Sequence, residues 1–399
     1  MSDVLLTYGW VRSSYAALRN LSSHGLNVTV ADSYRFGMCQ SSRLKKNFAL
    51  YPSHYDDEKA FVDKIVDLCE VNGIRLLMPS HNETEVLARH RYRFPGMLGS
   101  LLPNAVHCEL FNNKARTYDF AQSTGIPVPK KIAYLSPDQL AERISACGIA
   151  KTVIKLLTGN SGKGVFYADT PGEAQEMAQK LIEQYALPPE RFPQVEERIY
   201  GEGWGCSALY WHGEPITFFS HRRLREKIAT GGTSTFRESA RNEQLREITG
   251  KLLGKIGWHG LAMVEYKICP ETGKIWFIEV NPRLWGSIPL AISAGVEFPY
   301  LAWLCATEGP EAAKNYQEKS IVRYPWRGRW LLGDLMLAAT QALRGKPMQA
   351  WKTTFSGKSD AFDDLYSDDP LAFAGEILHY GSRFLGTMSL NPAEKGMVG

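Results

Sequence analysis

Residues 278–287 read IEVNPRLWGS. The run leading into them, KIWFI, is apolar and aromatic and fits a buried strand. Glu279 and Asn281 then stand two residues apart, so strand alternation puts both on one face. Pro282 and Arg283 follow at once. Upstream, GLAMVEYKI (260–268) reads as a second strand with Glu265 projecting from it, and CPETGK as the turn between them. The resulting hairpin carries Glu265, Glu279 and Asn281. Three oxygen donors without His or Cys favour Mg²⁺ or Mn²⁺ over zinc. The plainer alternative, a strand-end carboxylate paired with Arg283, leaves Asn281 and Glu265 unexplained.

Outward from this hairpin, the front of the chain alternates strands and helices. VLLTYG (4–9), LNVTVADS (26–33) and IRLLMPS (74–80) read as strands. SSYAALRNLSSHG (13–25) and DEKAFVDKIVDLCEVNG (57–73) read as helices stopped by Gly25 and Gly73. Strands separated by helices of this size predict a parallel sheet. TYGWVRSS lacks G-x-G-x-x-G, which argues against a dinucleotide site. Ligands of open parallel sheets lie beyond the strand C-termini. Gly9, Ser13, Asp32, Ser80, His81 and Glu83 are therefore candidate mouth residues, with ordinary loop and cap roles as the alternative.

A second unit opens near residue 110. A helix over about 113–123 cannot continue past Gly125 and Pro127. Ser136 with Pro137 predicts a helix over 136–146, and Thr170 with Glu173 predicts a capping box for one over 170–185. Between them TVIKLLTGNSGKGVFY reads strand, glycine loop, strand. Backbone N–H groups of such a loop can close around phosphate oxygens, and Lys155 beside it can neutralise charge. No helix follows, so the loop is a hairpin flap and not a P-loop. Further on, SHRRLREKIATGGTSTFRESARN (220–242) sets Arg222, Arg223 and Arg225 before a loop with Gly231 and Gly232, then Arg237. Arginine forks suit carboxylates. A solvated strand with a flexible loop is the alternative.

The bulk numbers exclude several classes. The chain has 399 residues, 44% hydrophobic and 22% charged, an ordinary globular composition for two or three domains. A net charge of +4 with no long basic block gives no footing for nucleic acid. The seven scattered cysteines form no C-x-x-C pair, and the odd count argues against a disulfide framework, so a reduced, cytoplasmic compartment is expected. MSDVLLTYGW does not read as a signal peptide, and no run reaches the ~18 apolar residues of a membrane span.

Taken together these segments resemble the ATP-grasp superfamily over roughly residues 1–310, with a likeness to the carbamoyl phosphate synthetase branch in the spacing of Glu265 and Glu279. The resemblance implies an α/β protein, α+β in its ATP-grasp part. A pre-ATP-grasp parallel-sheet domain (1–108) would precede an ATP-grasp domain (109–310, flap subdomain about 125–195) and a C-terminal helical extension (311–399). It implies that Lys114 and Lys155 hold ATP phosphates and that the flap, with Ser161, Gly162 and Gly164, covers them. VEERIYG (195–201) would be the hinge, where Glu196, Glu197, Arg198 and Ile199 lie at the adenine. Glu265, Glu279 and Asn281 would be metal ligands, most simply for two Mg²⁺ ions, with Mn²⁺ possible, and Arg283 would face the transferred phosphate. Glu202 is the weak candidate for the ribose. Trp285 and Ser287 would line the substrate pocket with Arg222, Arg223, Gly231, Gly232, Arg237 and Glu83.

The implied activity joins a small-molecule carboxylate, activated as an acyl phosphate, to an amine, releasing ADP and phosphate. A kinase-type enzyme ending at a phosphorylated product and a non-catalytic nucleotide-binding regulator are the competing readings. A homodimer is possible. In YPWRGRWLLGDLMLAATQALRGKP (324–347), apolar side chains cover a wide helix face between Arg327 and Arg329 at one end and Arg344 and Lys346 at the other. The expectation is a helix docked on the core or in a dimer interface, ahead of a membrane-surface helix.

Overall fold

The structure is a computed structural model that describes residues 2–94, 101–159, 164–227 and 233–387. Its first sheet is built from three-to-five-residue runs, three of them buried on both faces and the edge run at 47–50 partly exposed. β1 (Val4–Leu6), β2 (Val28–Asp32), β3 (Asn47–Leu50) and β4 (Leu76–Met78) pair in parallel in the order β3-β2-β1-β4. The connections carry α1 (Arg12–Ser23), α2 (Met38–Ser41) and α3 (Glu58–Asn72), and α4 (Glu83–Arg89) follows β4. Asp57 caps α3 by accepting from the Ala60 N–H, and Gly73 ends it at φ 63°. Alternation divides the core: Leu5 and Leu77 pack with Phe61 and Ile65 on one face, while Val4 and Leu6 pack with Ile288, Phe298 and Leu301 on the other.

α5 (Ala105–Asn112) and α6 (Lys114–Ser123) lead into a four-stranded antiparallel sheet, order β5-β8-β6-β7. It consists of β5 (Lys131–Ile132), β6 (Thr152–Lys155), β7 (Val165–Ala168) and β8 (Gln194–Glu197), with α7 (Leu140–Ala146) and α8 (Pro171–Tyr185) against it. β6 and β7 form the expected hairpin, Lys155 opposite Val165. At α8 the Thr170 hydroxyl accepts from the Glu173 N–H, but Glu173 reaches back to the Asp169 N–H and not to its capping partner. The helix expected from 136 begins instead as a 3-10 turn at Pro137–Gln139, because the Ser136 hydroxyl turns to Asp138 and caps nothing.

The largest sheet has seven strands in the order β13-β12-β9-β10-β11-β14-β15. β9 (Glu202–Trp211), β10 (Glu214–Glu226) and β11 (Ser234–Ser239) come first; then α9 (Glu243–Lys255), β12 (Gly260–Ile268) and β13 (Ile275–Asn281). α10 (Ile288–Ala294), α11 (Phe298–Thr307) and α12 (Pro310–Glu318) lead to β14 (Arg327–Arg329), α13 (Leu331–Leu343), α14 (Pro347–Phe355), β15 (Ala361–Phe362) and α15 (Pro370–Thr387). The C-terminal segment is therefore helical and also adds two strands to the central sheet. Its α13 docks by Gly333, Asp334 and Ala338 but leaves Leu335 and Leu343 exposed.

Among the described residues no single helix is long and apolar enough to cross a membrane; the bent pair α10–α11 has the composition but lies in the core. All seven cysteines are free.

Candidate functional site

β12 and β13 form the hairpin read from the sequence, with Glu265 directly opposite Glu279 and Met263 opposite Asn281. Opposed residues on adjacent strands lie close enough for their side chains to meet. The Asn281 amide nitrogen lies 3.4 Å from Glu265 Oε1 and 3.3 Å from Glu279 Oε1. Burial pushes the Glu265 carboxyl up to about 7, with Arg223 opposing and Glu279 adding to the shift. Arg223 Nη2 stands 2.5 Å from Glu265 Oε2. Two adjoining carboxylates, with the Asn281 carboxamide turned to present its oxygen, would form an oxygen-only donor set that suits a hard divalent cation. No group of three His, Cys, Asp or Glu side chains suited to a metal occurs among the described residues. Asn281 would have to supply the third donor.

These residues close one end of a cavity of about 320 Å³ between the small sheet and the seven-stranded one. Lys155 enters it from the end of β6. Its ammonium lies 2.5 Å from Glu196 Oε1 and 2.9 Å from the Tyr118 hydroxyl, all three side chains being buried. Lys114 opens α6 and donates to the Gly159 carbonyl at 2.9 Å. Burial lowers its pKa, Glu279 acting against that. Arg283 donates from Nη1 to the Leu284 carbonyl, while its buried Nε has no protein partner. A second cavity, about 350 Å³, meets the first at Lys114, Glu279, Asn281 and Arg283, and its far wall includes His54, Tyr55, Asn82 and Arg89.

The cavity brings together Lys114, Lys155, Glu196, Ile199, Arg223, Glu265, Glu279, Asn281, Arg283, Trp285 and Ser287. Other expected residues stand elsewhere. Glu197 accepts from the Lys130 N–H, and Arg198 pairs with Asp169 over the Tyr167 ring. Glu202 is exposed at the start of β9 and does not line the cavity, so the ribose role has no geometric support. Gly164, at φ 76°, accepts from the Leu156 N–H at the base of the flap. Ser161, Gly162, Gly231 and Gly232 lie outside the described residues.

The basic stretch does not act as one patch. Only Arg223 faces the cavity; Arg222 pairs with Glu238, and Arg225 with Asp334. Arg237 is fully buried and pairs with Asp363, away from the cavity lining. Strand alternation, with register shifts after Arg223, separates them. Glu83 is buried and accepts from the Thr7 hydroxyl and the Ser80 and His81 N–H groups, and Asp32 accepts from the Trp10 and Tyr34 N–H groups. These two therefore serve as loop-fastening carboxylates.

Three cavity-lining groups, and Tyr118 buried behind the lining, escaped the sequence reading. Lys155 donates to the Tyr118 hydroxyl, Glu226 pairs with Arg223, Ser234 lines the cavity, and Lys267 donates to the Ile199 carbonyl at 3.0 Å. Lys267 lies two residues beyond Glu265 on β12, so alternation from that acid was a usable signal. Tyr118 had none.

Residues 111–287 match the family model described as an ATP-grasp domain. The chain carries an ATP-grasp domain. The matched segment begins just before Lys114 and ends at Ser287, so it takes in the small sheet and five strands, β9 to β13, of the seven-stranded one. Acetyl-CoA carboxylase 2 of Oryza sativa subsp. japonica is 23% identical over 305 residues, covering 68% of this chain and 12% of that protein. The chain spans less than a fifth of the length of the curated carboxylases it matches. Its fold resembles N5-carboxyaminoimidazole synthetase of Staphylococcus aureus at a TM-score of 0.63, with 15% identity and coverage of 87% of this chain and 86% of that one. It also resembles an L-amino acid ligase of Bacillus licheniformis, at a TM-score of 0.59, 16% identity and coverage of 81% and 77%. At these identities the likeness establishes the ATP-grasp fold, preceded by a parallel sheet.

Proposed function

We propose that this ATP-grasp protein is an ATP-dependent ligase that activates a substrate carboxylate as an acyl phosphate and joins it to an amine, releasing ADP and phosphate. The observation that carries the reading is the ring of opposite charges at one end of the cavity. Glu265, Glu279 and Asn281 line the same cavity as Lys114, Lys155 and Arg283. A binder without turnover has no need of both sets. The L-amino acid ligase among the structural neighbours supports the amide-forming version.

In this mechanism Lys155, held by Glu196 and Tyr118, and Lys114 hold the nucleotide phosphates. Arg283, which lines both cavities, faces the phosphoryl group in transfer. Glu265, Glu279 and Asn281 would hold Mg²⁺, which when bound spreads charge over the phosphate oxygens. Arg223 keeps Glu265 oriented and marks where the acid substrate enters. The substrate carboxylate is itself the nucleophile, so positioning carries much of the rate. No protein nucleophile is required.

The test is ADP release by the purified protein with ATP, Mg²⁺ and a panel of acids and amines. Turnover should need one of each and yield a product of amide mass, and hydroxylamine in place of the amine should trap a hydroxamate. Turnover with an acid or sugar alone, ending at a stable phosphorylated product, would replace this reading with a kinase-type one.

A further inference from the structure

The C-terminal helices each dock by one face and expose apolar residues on another. α13 shows Leu335, Ala339, Ala342 and Leu343 to solvent, a spacing of four, three and one that keeps them on one stripe. α14 folds back against α13, where Thr353 donates to the Gln341 side chain at 2.8 Å. Its outward stripe is Met348, Trp351 and Phe355, exposed by 67, 62 and 65%, with the two rings 4.2 Å apart. Leu343, exposed by 89%, and Met348 flank the turn between the helices. Solvated Leu, Met, Trp and Phe side chains in one hairpin are more than scattered surface residues require.

Charge says what covers them. Residues 335–359 hold Arg344, Lys346, Lys352 and Lys358 and no acidic residue, and all four cations are exposed. The chain as a whole is nearly balanced, with 46 basic and 42 acidic residues, so this segment departs from its own background. A two-fold contact between copies would set the same patch against itself, four cations facing four. A nucleic-acid duplex would answer the cations but leave the Leu, Met and Phe side chains wet. An anionic bilayer surface answers both, because cations meet the headgroups while Trp, Phe and Leu enter the acyl boundary.

We infer that the α13–α14 hairpin is a membrane-surface docking element that seats the enzyme on anionic lipid through Leu343, Met348, Trp351 and Phe355, with Arg344, Lys346 and Lys352 at the headgroups. This departs from the expectation of a fully docked helix. α13 is docked on its Gly333–Asp334–Ala338 side and free on the other.

Co-sedimentation of the full chain with vesicles decides the matter. Vesicles of phosphatidylcholine with about 30% phosphatidylglycerol should pellet the protein, pure phosphatidylcholine should not, and added salt should release it. Lys346→Gln with Lys352→Gln should weaken binding about fivefold per cation removed. These lysines are exposed, so folding should survive, as the melting temperature will report. Trp351→Ser with Phe355→Ser should abolish pelleting with the basal ATP turnover unchanged. Binding without preference for the anionic lipid, or no binding to it, overturns the inference. So does a dimer, seen by light scattering, that the Trp351/Phe355 variant disperses, and so does tight duplex DNA binding that ignores the loss of both rings.

Discussion

At the scale of single residues, the site is built from pairs whose members cannot be removed singly without cost. Lys155 and Glu196 are buried and 2.5 Å apart. Breaking such a pair by deleting one partner typically costs ~3–5 kcal/mol, because a buried charge is left behind. Lys155→Ala should therefore lower the urea midpoint as well as ATP affinity. Adding Glu196→Gln should restore part of the stability but none of the affinity, since of this pair it is Lys155 that meets phosphate in the proposed mechanism. If calorimetry shows ATP binding recovering in the double variant, Lys155 is a structural lysine. Glu279→Gln makes a different prediction. The fold should hold while phosphate release falls by about 100-fold or more, as expected when the charge stabilisation of a phosphoryl transfer is removed. Near wild-type release would remove Glu279 from the site.

At the scale of elements, α15 shows packing overruling propensity. Gly375 sits inside that helix, where Ala is favoured by ~1 kcal/mol. Yet a Cβ there would meet the Gly37 carbonyl oxygen and Ser41 Oγ, both at 2.3 Å. The first is backbone and cannot step aside. Gly375→Ala should therefore destabilise, and protease cleavage within residues 356–387 should appear in the variant at temperatures where the parent resists. An unchanged melting curve would mean that α15 contributes little. The same helix carries His379, stacked on Trp10 at 4.2 Å and hydrogen-bonded through Nδ1 to the Phe36 carbonyl. Burial pushes its pKa down to about 4. The neutral form is the folded form, so the stability linked to it is complete above ~6.5 and is lost as pH falls toward 4. His54, also lowered to about 4, acts in the same direction. Buried carboxyls such as Glu265 and Asp364, raised to about 7 and about 6, act in the opposite direction, so His379 is read by difference: between pH 7 and pH 5 the melting temperature of His379→Gln should fall less, or rise more, than that of the parent. An equal change in the variant would exclude His379 as a contributor.

At the scale of the whole molecule, the C-terminal segment is a clasp. Asp363 pairs with Arg12 at the start of α1, 2.6 Å away, and with Arg237 on β11. Arg12 also lies 3.8 Å from the centre of the Trp330 ring. Asp369 accepts from Tyr15 and Ser42, and Asp364 accepts from the backbone of Leu331 and Leu332 at the start of α13. One carboxylate thus joins the parallel sheet unit, the central sheet and the extension. Asp363→Asn would leave two buried guanidinium groups short of a counter-charge, a loss of ~3–5 kcal/mol by the usual cost of a broken buried pair. Truncation after residue 323 should do more damage, since it strips both arginines of their partner and removes β14 and β15 from the sheet. Far-ultraviolet dichroism with urea titration ranks the two; a truncated chain as stable as the parent would dissolve the clasp.

What the sequence determined alone was local. Glu279 and Asn281 share a face because a strand repeats every two residues, and Glu265 meets them because a short turn returns one strand along the other. Asp57, Gly73 and Gly125 mark helix ends because caps act within a few residues. The hairpin flap and the parallel sheet follow from the same short-range rules. What the tertiary structure decided was partnership at a distance. Arg223 faces the cavity and Arg222 and Arg237 do not, since pleat and register shifts, and not composition, assign a side chain to a face. Asp363 finds Arg237 across 126 residues and Arg12 across 351. Tyr118 and Glu196 hold Lys155 from a helix and a strand 78 residues apart. A buried charge takes its partner from whatever packing brings near, and packing sums over the whole chain, so no window of sequence contains the answer.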